Sequence, residues 1–455
     1  MRTEWPSYRA GYPPQEAIRC HVIDTIIGLA LGLVPGLVAG LVGISAEGWF
    51  HATLRLFFCC LRARMRIVAD ENIPLAEAFF SHLGEVERVP GRSLTARQLQ
   101  RADLLLVRSV TPVNAQLLAD TPVRFVASAT IGTDHVDLGW LQQQGIAFTN
   151  APGCNADSVV DYVLSALSNL AQQQGCGLSE RKLGIVGVGN VGRRLQDRLQ
   201  GLGIEVLLCD PPRAERETTA AGKFVELSEL VERCDVFCLH TPLTRQGRYP
   251  SYHLFDADVL SRLPKNSWLI NAGRGAVVDN RALLACLAQR QDLQVVLDVW
   301  ESEPSIDTEL AQRVALATPH IAGYSLEGKS RGTEMIYQAA CRFLAMQPQR
   351  ALAQLLPAPA IGRIELCADA TLELDLIPRL VKLVYDLRRD HDALMNKIQQ
   401  HPVAIGTQFD QLRRNYPERR EFSSLVVEGV DRGSHLASQL AGYGFSVDEC
   451  FSVDK

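Results

Sequence analysis

The chain has 455 residues, a formal net charge of −5, 21% charged residues and 47% hydrophobic residues. A chain of this length exceeds one ordinary hydrophobic core and predicts two or three domains. The small acidic excess excludes the electrostatic signature of a general nucleic-acid binder, so we expect a small-molecule ligand. The 12 cysteines and 10 histidines match neither a disulfide framework nor a paired metal-ligand spacing, which predicts reduced thiols and no metal site.

The first 64 residues differ in character from the rest of the chain. Residues 26–44 form an uncharged apolar run with glycines at four-residue intervals, a pattern typical of a transmembrane helix or a signal-like segment. Residues 65–70, in contrast, predict the first strand of a soluble domain that begins at its own methionine. We therefore interpret residues 1–64 as an N-terminal extension from a miscalled start, and keep a membrane segment as the alternative.

Predicted strands and helices alternate along residues 65–155. Strands are predicted at residues 66–69, 85–89, 104–107 and 125–128, and a helix at residues 74–83. This βα alternation predicts a parallel sheet, in which ligands bind beyond the carboxyl ends of the strands. Arg108 and Ser109 follow the third strand and Thr130 follows the fourth, so both loops are candidate substrate contacts. A long helix over residues 156–173 then leads into the next domain.

A glycine-rich loop at residues 187–192, GVGNVG, is the strongest motif of the chain. It follows a short apolar strand at residues 183–186 and precedes a helical pattern at residues 193–202. This order is what a dinucleotide pyrophosphate needs, because the glycines allow a tight turn and a close backbone approach at a helix N-terminus. Asp210 ends the next strand and is placed to bind an adenosine ribose hydroxyl, which favours NAD over NADP. The expected cofactor contacts of this unit are Gly187, Gly189, Asn190, Val191, Gly192 and Asp210.

Three polar residues follow later strands of the same domain. The strands after the glycine loop are predicted at residues 205–209, 236–239, 268–271, 295–299 and 316–317. Arg274, Glu303 and His320 come after the last three of them. A histidine with a carboxylate partner can take the proton of a hydroxyl during hydride transfer, and an arginine fork can hold a substrate carboxylate. The set therefore predicts oxidation of a 2-hydroxy acid.

The C-terminal residues form a third predicted unit. Prolines at positions 348, 357 and 359 mark a linker. The elements that follow are predicted as a strand at 363–367, helices at 376–389 and 409–416, a strand at 425–428, a helix at 434–440 and a final strand. We assign residues 65–155 and 325–347 to a substrate-binding domain, 156–324 to a dinucleotide-binding domain and 348–455 to an α+β module.

These motifs carry a family resemblance. The segments GVGNVG, HTPL at 240–243, NAGRGAVVD at 271–279, VLDVWESEP at 296–304 and TPHIAGYSLEGKSRG at 318–332 resemble the D-2-hydroxyacid dehydrogenases. The resemblance implies an α/β fold with a Rossmann-type domain for NAD, a flavodoxin-like substrate domain and a C-terminal dimerisation domain. It implies that Arg274, Glu303 and His320 are catalytic. It further implies NAD contacts by Thr241, Asp298 and Gly323 and substrate contacts by Ser109, Thr130 and Tyr324.

Further motifs narrow the implied substrate. They are MRIVADENIP at 65–74, RSVT at 108–111, TIGTDHVD at 130–137, APGCN at 151–155, CDPPR at 209–213 and FDQLRRNYPERREFSSL at 409–425. They imply NAD-dependent oxidation of 4-phospho-D-erythronate to 2-oxo-3-hydroxy-4-phosphobutanoate, a step toward pyridoxal phosphate, by a homodimer in the bacterial cytoplasm. The alternatives are another phosphorylated 2-hydroxy acid, such as phosphoglycerate, or an NAD-sensing scaffold without turnover.

The substrate phosphate needs a cation, and the sequence offers two sources. Arg108 stands beside Ser109 in the first domain, and a cluster of four arginines, Arg413, Arg414, Arg419 and Arg420, lies in the third unit. Both are candidates for phosphate binding, with a solvated basic helix face as the alternative for the cluster.

Overall fold

The computed structural model describes residues 65–217, 224–366 and 376–448. The chain from Met65 onwards forms one compact unit. Its described strands form three sheets, all parallel, with five, six and three strands. The apolar run at residues 26–44 lies outside the described residues. Within the described part of the chain, no helix is both long enough and apolar enough to cross a membrane.

The first sheet has the order β2-β1-β3-β4-β5, which is the flavodoxin-like order expected for the substrate domain. Its strands are β1 (Arg66–Asp70), β2 (Glu85–Val89), β3 (Leu104–Val107), β4 (Phe125–Ser128) and β5 (Ala147–Thr149). The helices between them are short: α1 (Ala76–Phe80), α2 (Ala115–Leu118) and α3 (Leu138–Gln143). All four residues of β3 and of β4 are buried, as central strands of a covered parallel sheet must be.

The second sheet has the order β11-β10-β9-β8-β6-β7. Its strands are β6 (Leu183–Val186), β7 (Val206–Cys209), β8 (Val236–Leu239), β9 (Trp268–Asn271), β10 (Gln294–Leu297) and β11 (Leu316–Ala317). A single parallel bridge from Leu208 to Phe224 extends it beyond β7, so the doubly wound arrangement continues at that edge. The reversal of strand order at β6 creates the crevice in which such folds bind ligands.

Helices cover both faces of the second sheet. They are α4 (Ala156–Gln174), α5 (Asn190–Gly201), α6 (Pro211–Arg216), α7 (Leu227–Arg233), α8 (Ala257–Arg262), α9 (Asn280–Leu287) and α10 (Thr308–Arg313). Helix α4 is buried from Ala156 to Ala171 apart from Asp157. A helix that is buried all round lies between packed layers, and α4 joins the core shared with the C-terminal unit.

Helix α11 (Leu326–Phe343) returns the chain to the first sheet. Its residues Ile336, Tyr337 and Ala340 are fully buried and share a core with α1 and β4. The chain therefore crosses twice between the two larger sheets, through α4 and through α11. The His320 loop lies between β11 and this second crossing.

The C-terminal unit contains the third sheet, in the order β12-β13-β14. Its elements are β12 (Arg363–Glu365), α12 (Leu376–Val384), α13 (Arg388–Gln400), α14 (Ile405–Arg414), β13 (Val426–Glu428), α15 (His435–Tyr443) and β14 (Ser446–Val447). The sequence predicted one helix at residues 376–389, which is wrong: α12 ends at Val384 and a second helix, α13, begins at Arg388. Asp386 accepts the backbone N–H of Arg388 at 3.1 Å, which is an Asx turn in the break between the two helices.

Candidate active site

The glycine loop has the shape that a dinucleotide needs. Gly187 has φ +86°, and a β-carbon there would lie 2.7 Å from the backbone nitrogen of Thr241. A β-carbon at Gly192 would overlap the carbonyl oxygen of Gly187. A β-carbon at Gly189 would meet no atom within 4 Å, so the space in front of that position is open. The loop is closed on the protein side and open on the side where a pyrophosphate approaches.

Polar atoms without partners border this loop and test whether a dinucleotide fits. Both ring nitrogens of His240 and the Oγ1 atom of Thr241 are buried and have no hydrogen-bond partner among the described residues. Helix α5 begins at Asn190, followed by Val191, and its first N–H groups receive no side-chain cap. Burial lowers the pKa of His240 to about 4, so its imidazole is neutral at pH 7. The residues present thus leave donors and acceptors for a phosphate and ribose ligand.

Asp210 lies between the glycine loop and helix α6. Its Oδ2 accepts the N–H of Val188 at 2.8 Å, and its Oδ1 accepts the N–H of Arg213 at 3.0 Å. The guanidinium of Arg213 forms a salt bridge with Glu217 at 2.6 Å and donates a hydrogen bond to the carbonyl of Val188. The arginine beside this carboxylate is therefore held by protein groups and is not available to a 2′-phosphate.

His320 and Glu303 are hydrogen-bonded to each other. His320 Nδ1 lies 2.7 Å from Glu303 Oε2, and the N–H of Trp300 donates to Glu303 Oε1 at 2.7 Å. Because a carboxylate accepts, the imidazole proton is on Nδ1 and the lone pair is on Nε2. The side chains of His320 and Glu303 are 34% and 20% exposed. The pair can thus reach a ligand and take a proton from it.

Asp298 holds the loop that carries His320. Its Oδ1 accepts the hydroxyl of Thr318 at 2.7 Å and the N–H of Ile321 at 2.8 Å, and its Oδ2 accepts the N–H of Ala322 at 2.9 Å. His320 has φ +55°, a left-handed conformation that costs about 1 kcal/mol for a residue with a side chain. Asp298 is 1% exposed, and burial raises the pKa of this carboxyl. Its observed contacts hold the loop; the NAD contact that the resemblance implies for Asp298 stays a prediction.

Arg274 lies on the loop after β9 and is exposed. The buried Asn271 shapes this loop, because it accepts the N–H of Gly273 at 3.1 Å and donates to the carbonyl of Arg274 at 3.0 Å. A β-carbon at Gly275 would overlap the carbonyl of Trp300. The Arg274 loop therefore lies directly against the loop that begins at Trp300 and carries Glu303.

His253, which the sequence pattern does not mark as a site residue, connects the Arg274 loop with the Glu303 loop. His253 Nε2 lies 2.6 Å from Glu301 Oε1, and its Nδ1 lies 3.5 Å from Asp279 Oδ2. The backbone N–H of His253 donates to the carbonyl of Ala276 at 2.8 Å. These three side chains form the one group of potential metal ligands among the described residues, but each carboxylate contacts a different ring nitrogen. The arrangement is a hydrogen-bonded brace between residues that follow Arg274 and residues that precede Glu303.

The predicted substrate contacts lie at the carboxyl ends of β3 and β4 and near the start of α11. Thr130 Oγ1 lies 2.8 Å from Ser128 Oγ, and Ser109 is exposed. Tyr324 follows Gly323 in the His320 loop, and its hydroxyl accepts Nη2 of Arg413 at 3.1 Å. A β-carbon at Gly323 would overlap the amide nitrogen of Asn155, so the loop approaches the start of α4 closely.

The structure separates the four arginines of the C-terminal cluster. Arg419 is 2% exposed and donates to the carbonyls of Ser158 at 3.0 Å and Ala322 at 2.5 Å. Arg420 pairs with the buried Glu327 at 2.6 Å. Arg414 is exposed. Arg419 and Arg420 are therefore engaged by other parts of the protein and are not available to a phosphate. Arg413, in contrast, contacts Tyr324, so it stays a candidate.

Two family models match the chain. Residues 163–322 match the model for the D-isomer specific 2-hydroxyacid dehydrogenase, NAD binding domain. Residues 355–444 match a domain family of unknown function, DUF3410. The first match spans the glycine loop, Asp210, Arg274, Glu303 and His320.

Curated relatives match this chain over almost their whole length. The chain is 53% identical over 382 residues to erythronate-4-phosphate dehydrogenase of Escherichia coli O1:K1, covering 84% of this chain and 98% of the relative. The same enzyme of Shigella dysenteriae serotype 1 gives the same identity and coverage.

Solved structures share the fold at lower identity. An NAD⁺-bound 3-phosphoglycerate dehydrogenase from Entamoeba histolytica matches with TM-score 0.52 and 23% identity, covering 62% of this chain and 96% of the other. An NADPH-dependent glyoxylate/hydroxypyruvate reductase from Sinorhizobium meliloti matches with TM-score 0.51 and 24% identity, covering 64% and 98%. One binds NAD and the other NADP, so this fold by itself leaves the choice of cofactor to individual residues.

Proposed function

The chain belongs to the erythronate-4-phosphate dehydrogenase family of D-isomer specific 2-hydroxyacid dehydrogenases, and we propose that it oxidises 4-phospho-D-erythronate to 2-oxo-3-hydroxy-4-phosphobutanoate. The observation that carries the proposal is the hydrogen-bonded pair of His320 and Glu303 beside the Arg274 loop, at the edge of an NAD-binding domain. The product belongs on the route to pyridoxal phosphate.

The His320–Glu303 pair supplies the acid–base chemistry. Glu303 accepts a hydrogen bond from the Nδ1–H group of His320. The Nε2 atom then faces the ligand as a base and takes the proton of the C2 hydroxyl. As the C–H bond at C2 breaks and the carbonyl forms, the carboxylate stabilises the imidazolium across the 2.7 Å contact. The glycine loop and Asp210 would hold NAD, which would supply the hydride acceptor. In the reverse direction the same imidazolium returns the proton to the carbonyl oxygen.

Arg274 orients the substrate in this proposal. An exposed guanidinium next to the glycine turn at 273 can hold the C1 carboxylate through two parallel hydrogen bonds. Such a clamp fixes C2 relative to His320, and orientation of this kind supplies a large part of the rate enhancement. The brace of His253 with Glu301 keeps the arginine loop and the glutamate loop in contact.

NAD is the cofactor of this family, and residues at the glycine loop account for the preference. Asp210 places a negative charge at the end of β7, where the adenosine ribose lies in such folds. A 2′-phosphate would meet this charge without a free arginine to offset it, because Arg213 is bound to Glu217.

The experiment that tests the substrate is an NADH-absorbance assay of the purified full chain. We expect turnover of 4-phospho-D-erythronate with kcat/KM at least about 100-fold above that for D-3-phosphoglycerate, D-erythronate and D-lactate, since buried polar groups left unpaired discriminate strongly. Faster turnover of D-3-phosphoglycerate would identify that acid as the substrate in place of 4-phospho-D-erythronate. Binding of NAD without turnover of any acid would favour a sensing scaffold.

The quaternary structure is part of the proposal. Among the described residues of the C-terminal unit, three large apolar side chains are exposed: Ile361 at 46%, Leu383 at 45% and Val403 at 100%. Exposed apolar side chains of this kind favour association, and we propose a homodimer joined through residues 348–455. Light scattering coupled to size-exclusion chromatography tests it: the chain is expected at twice its 50.1 kDa mass, and a monomer would contradict the proposal.

The proposal also assigns a ligand to each segment of the chain. Residues 65–155 and 325–347 bind the substrate, and residues 156–324 bind NAD. An NAD-dependent biosynthetic step belongs in the cytoplasm, where cell fractionation is expected to recover the activity.

A further inference from the structure

Two cations, Lys329 and Arg413, lie against the ring of Tyr324, and a third, Arg108, lies close enough to Lys329 to affect its charge; none of them pairs with a carboxylate among the described residues. Lys329 Nζ lies 4.6 Å from the centre of the Tyr324 ring, and the guanidinium carbon of Arg413 lies 5.8 Å from the same centre. Lys329 has no ion pair or side-chain hydrogen bond among the described residues, and Nε of Arg413 is buried without a partner. Arg108 at the end of β3 also has no ion pair within the described part of the chain.

The surroundings of Lys329 are unfavourable for a charge. Burial, together with the positive charges of Arg108 and Arg419, lowers the pKa of Lys329 to about 8. The ring of Tyr416 lies 6.0 Å from Nζ on another side, and cation–π contacts of this kind recover only part of the lost hydration. The carboxylate of the neighbouring Asp390 is already engaged by Tyr385, Tyr416 and Arg389.

Arg108, Lys329 and Arg413 are half-buried, and partly buried cations that no protein anion neutralises are typical of a site for an anionic ligand. The location suits one end of the proposed substrate, because Tyr324 lies in the loop that carries His320. The three cations come from different parts of the fold. Arg108 lies in the loop after β3, Lys329 on α11 and Arg413 on α14 of the C-terminal unit.

We propose that Lys329, Arg413 and Arg108 form the subsite for the phosphate of the substrate. The inference rests on the proposed function, in which the acid carries a phosphate at the end opposite its carboxylate. Arg274 then holds one end of the substrate and this subsite the other, with the reacting hydroxyl at His320 between them. The C-terminal unit thereby contributes directly to specificity for phosphorylated acids.

The test compares Lys329→Met and Arg413→Met with the unmodified full chain on 4-phospho-D-erythronate and on D-erythronate. Loss of one charge-assisted contact is expected to lower kcat/KM for the phosphorylated acid about 10- to 100-fold. The plain acid is expected to change less than about threefold, because it never uses the subsite. Lys329→Arg is expected to retain most of the activity, and Lys265→Met is the matched control, since Lys265 is exposed at the amino end of β9.

A second readout separates failure of the subsite from failure of the proposed function. Inorganic phosphate is expected to raise the melting temperature of the unmodified chain and to raise it much less in Lys329→Met, whatever acid the enzyme oxidises. Equal losses on both acids, or an undiminished effect of phosphate in Lys329→Met and Arg413→Met, would overturn the subsite. A chain that is stabilised by phosphate at Lys329 but does not turn over 4-phospho-D-erythronate would overturn the substrate instead and retain the anion site.

Discussion

Replacing Glu303 by glutamine probes the proton relay with a change of one atom. The N–H of Trp300 donates to one carboxylate oxygen at 2.7 Å, so the amide that replaces the carboxylate must keep its oxygen on that side. The NH₂ group of this amide then faces His320 Nδ1, where the carboxylate oxygen lay at 2.7 Å. Two donors cannot share that contact, and the histidine responds by moving its proton to Nε2. The nitrogen that faces the substrate thus loses its lone pair.

The expected cost follows from the role of that lone pair. General base catalysis contributes about 10²- to 10⁴-fold, and a wrong histidine tautomer removes most of it. We therefore expect kcat for NADH production to fall about 10²- to 10⁴-fold in Glu303→Gln, with NAD affinity measured by fluorescence quenching within about twofold. Glu309→Gln is the matched control, because Glu309 is exposed on α10 and pairs with Arg313, one helical turn away. A kcat within about fivefold of the unmodified enzyme would refute the assigned tautomer.

Further outcomes follow from individual contacts. Asp210→Ala is expected to lower the ratio of kcat/KM with NAD to that with NADP about tenfold or more, and an unchanged ratio would contradict its role in cofactor choice. Because Lys329 carries its charge only below about pH 8, kcat/KM for the phosphorylated acid is expected to fall as the pH rises through that value; the same profile in Lys329→Arg should lack this limb. Arg419→Met removes a buried cation that holds backbone carbonyls and is expected to destabilise the protein by about 2–4 kcal/mol in urea unfolding, whereas a change below about 0.5 kcal/mol would show that docking does not depend on it. Met65–Lys455 alone is expected to retain full activity, and loss of turnover on truncation would assign residues 1–64 a role in the enzyme.

The sequence by itself determined the class of the fold and the cofactor. Short apolar runs with intervening helices produce parallel sheets because both faces of such strands are covered, and the predicted strands of the two larger sheets recur in the structure within one or two residues. The glycine loop followed by Asp210 specifies a dinucleotide through local backbone geometry. Such features depend on neighbours in the chain, so a linear pattern contains them.

Only the tertiary structure decided how the remaining polar residues are used. Arg413 and Arg419 look alike in the sequence, yet one contacts Tyr324 and the other is buried against the carbonyls of Ser158 and Ala322. Lys329 lies in a motif of the family resemblance that assigns it no role. Its proposed role depends on Arg108, which follows β3, and on Arg413 from α14. The chemical role of a charged side chain depends on which charges surround it, and those charges come from segments far apart in the chain.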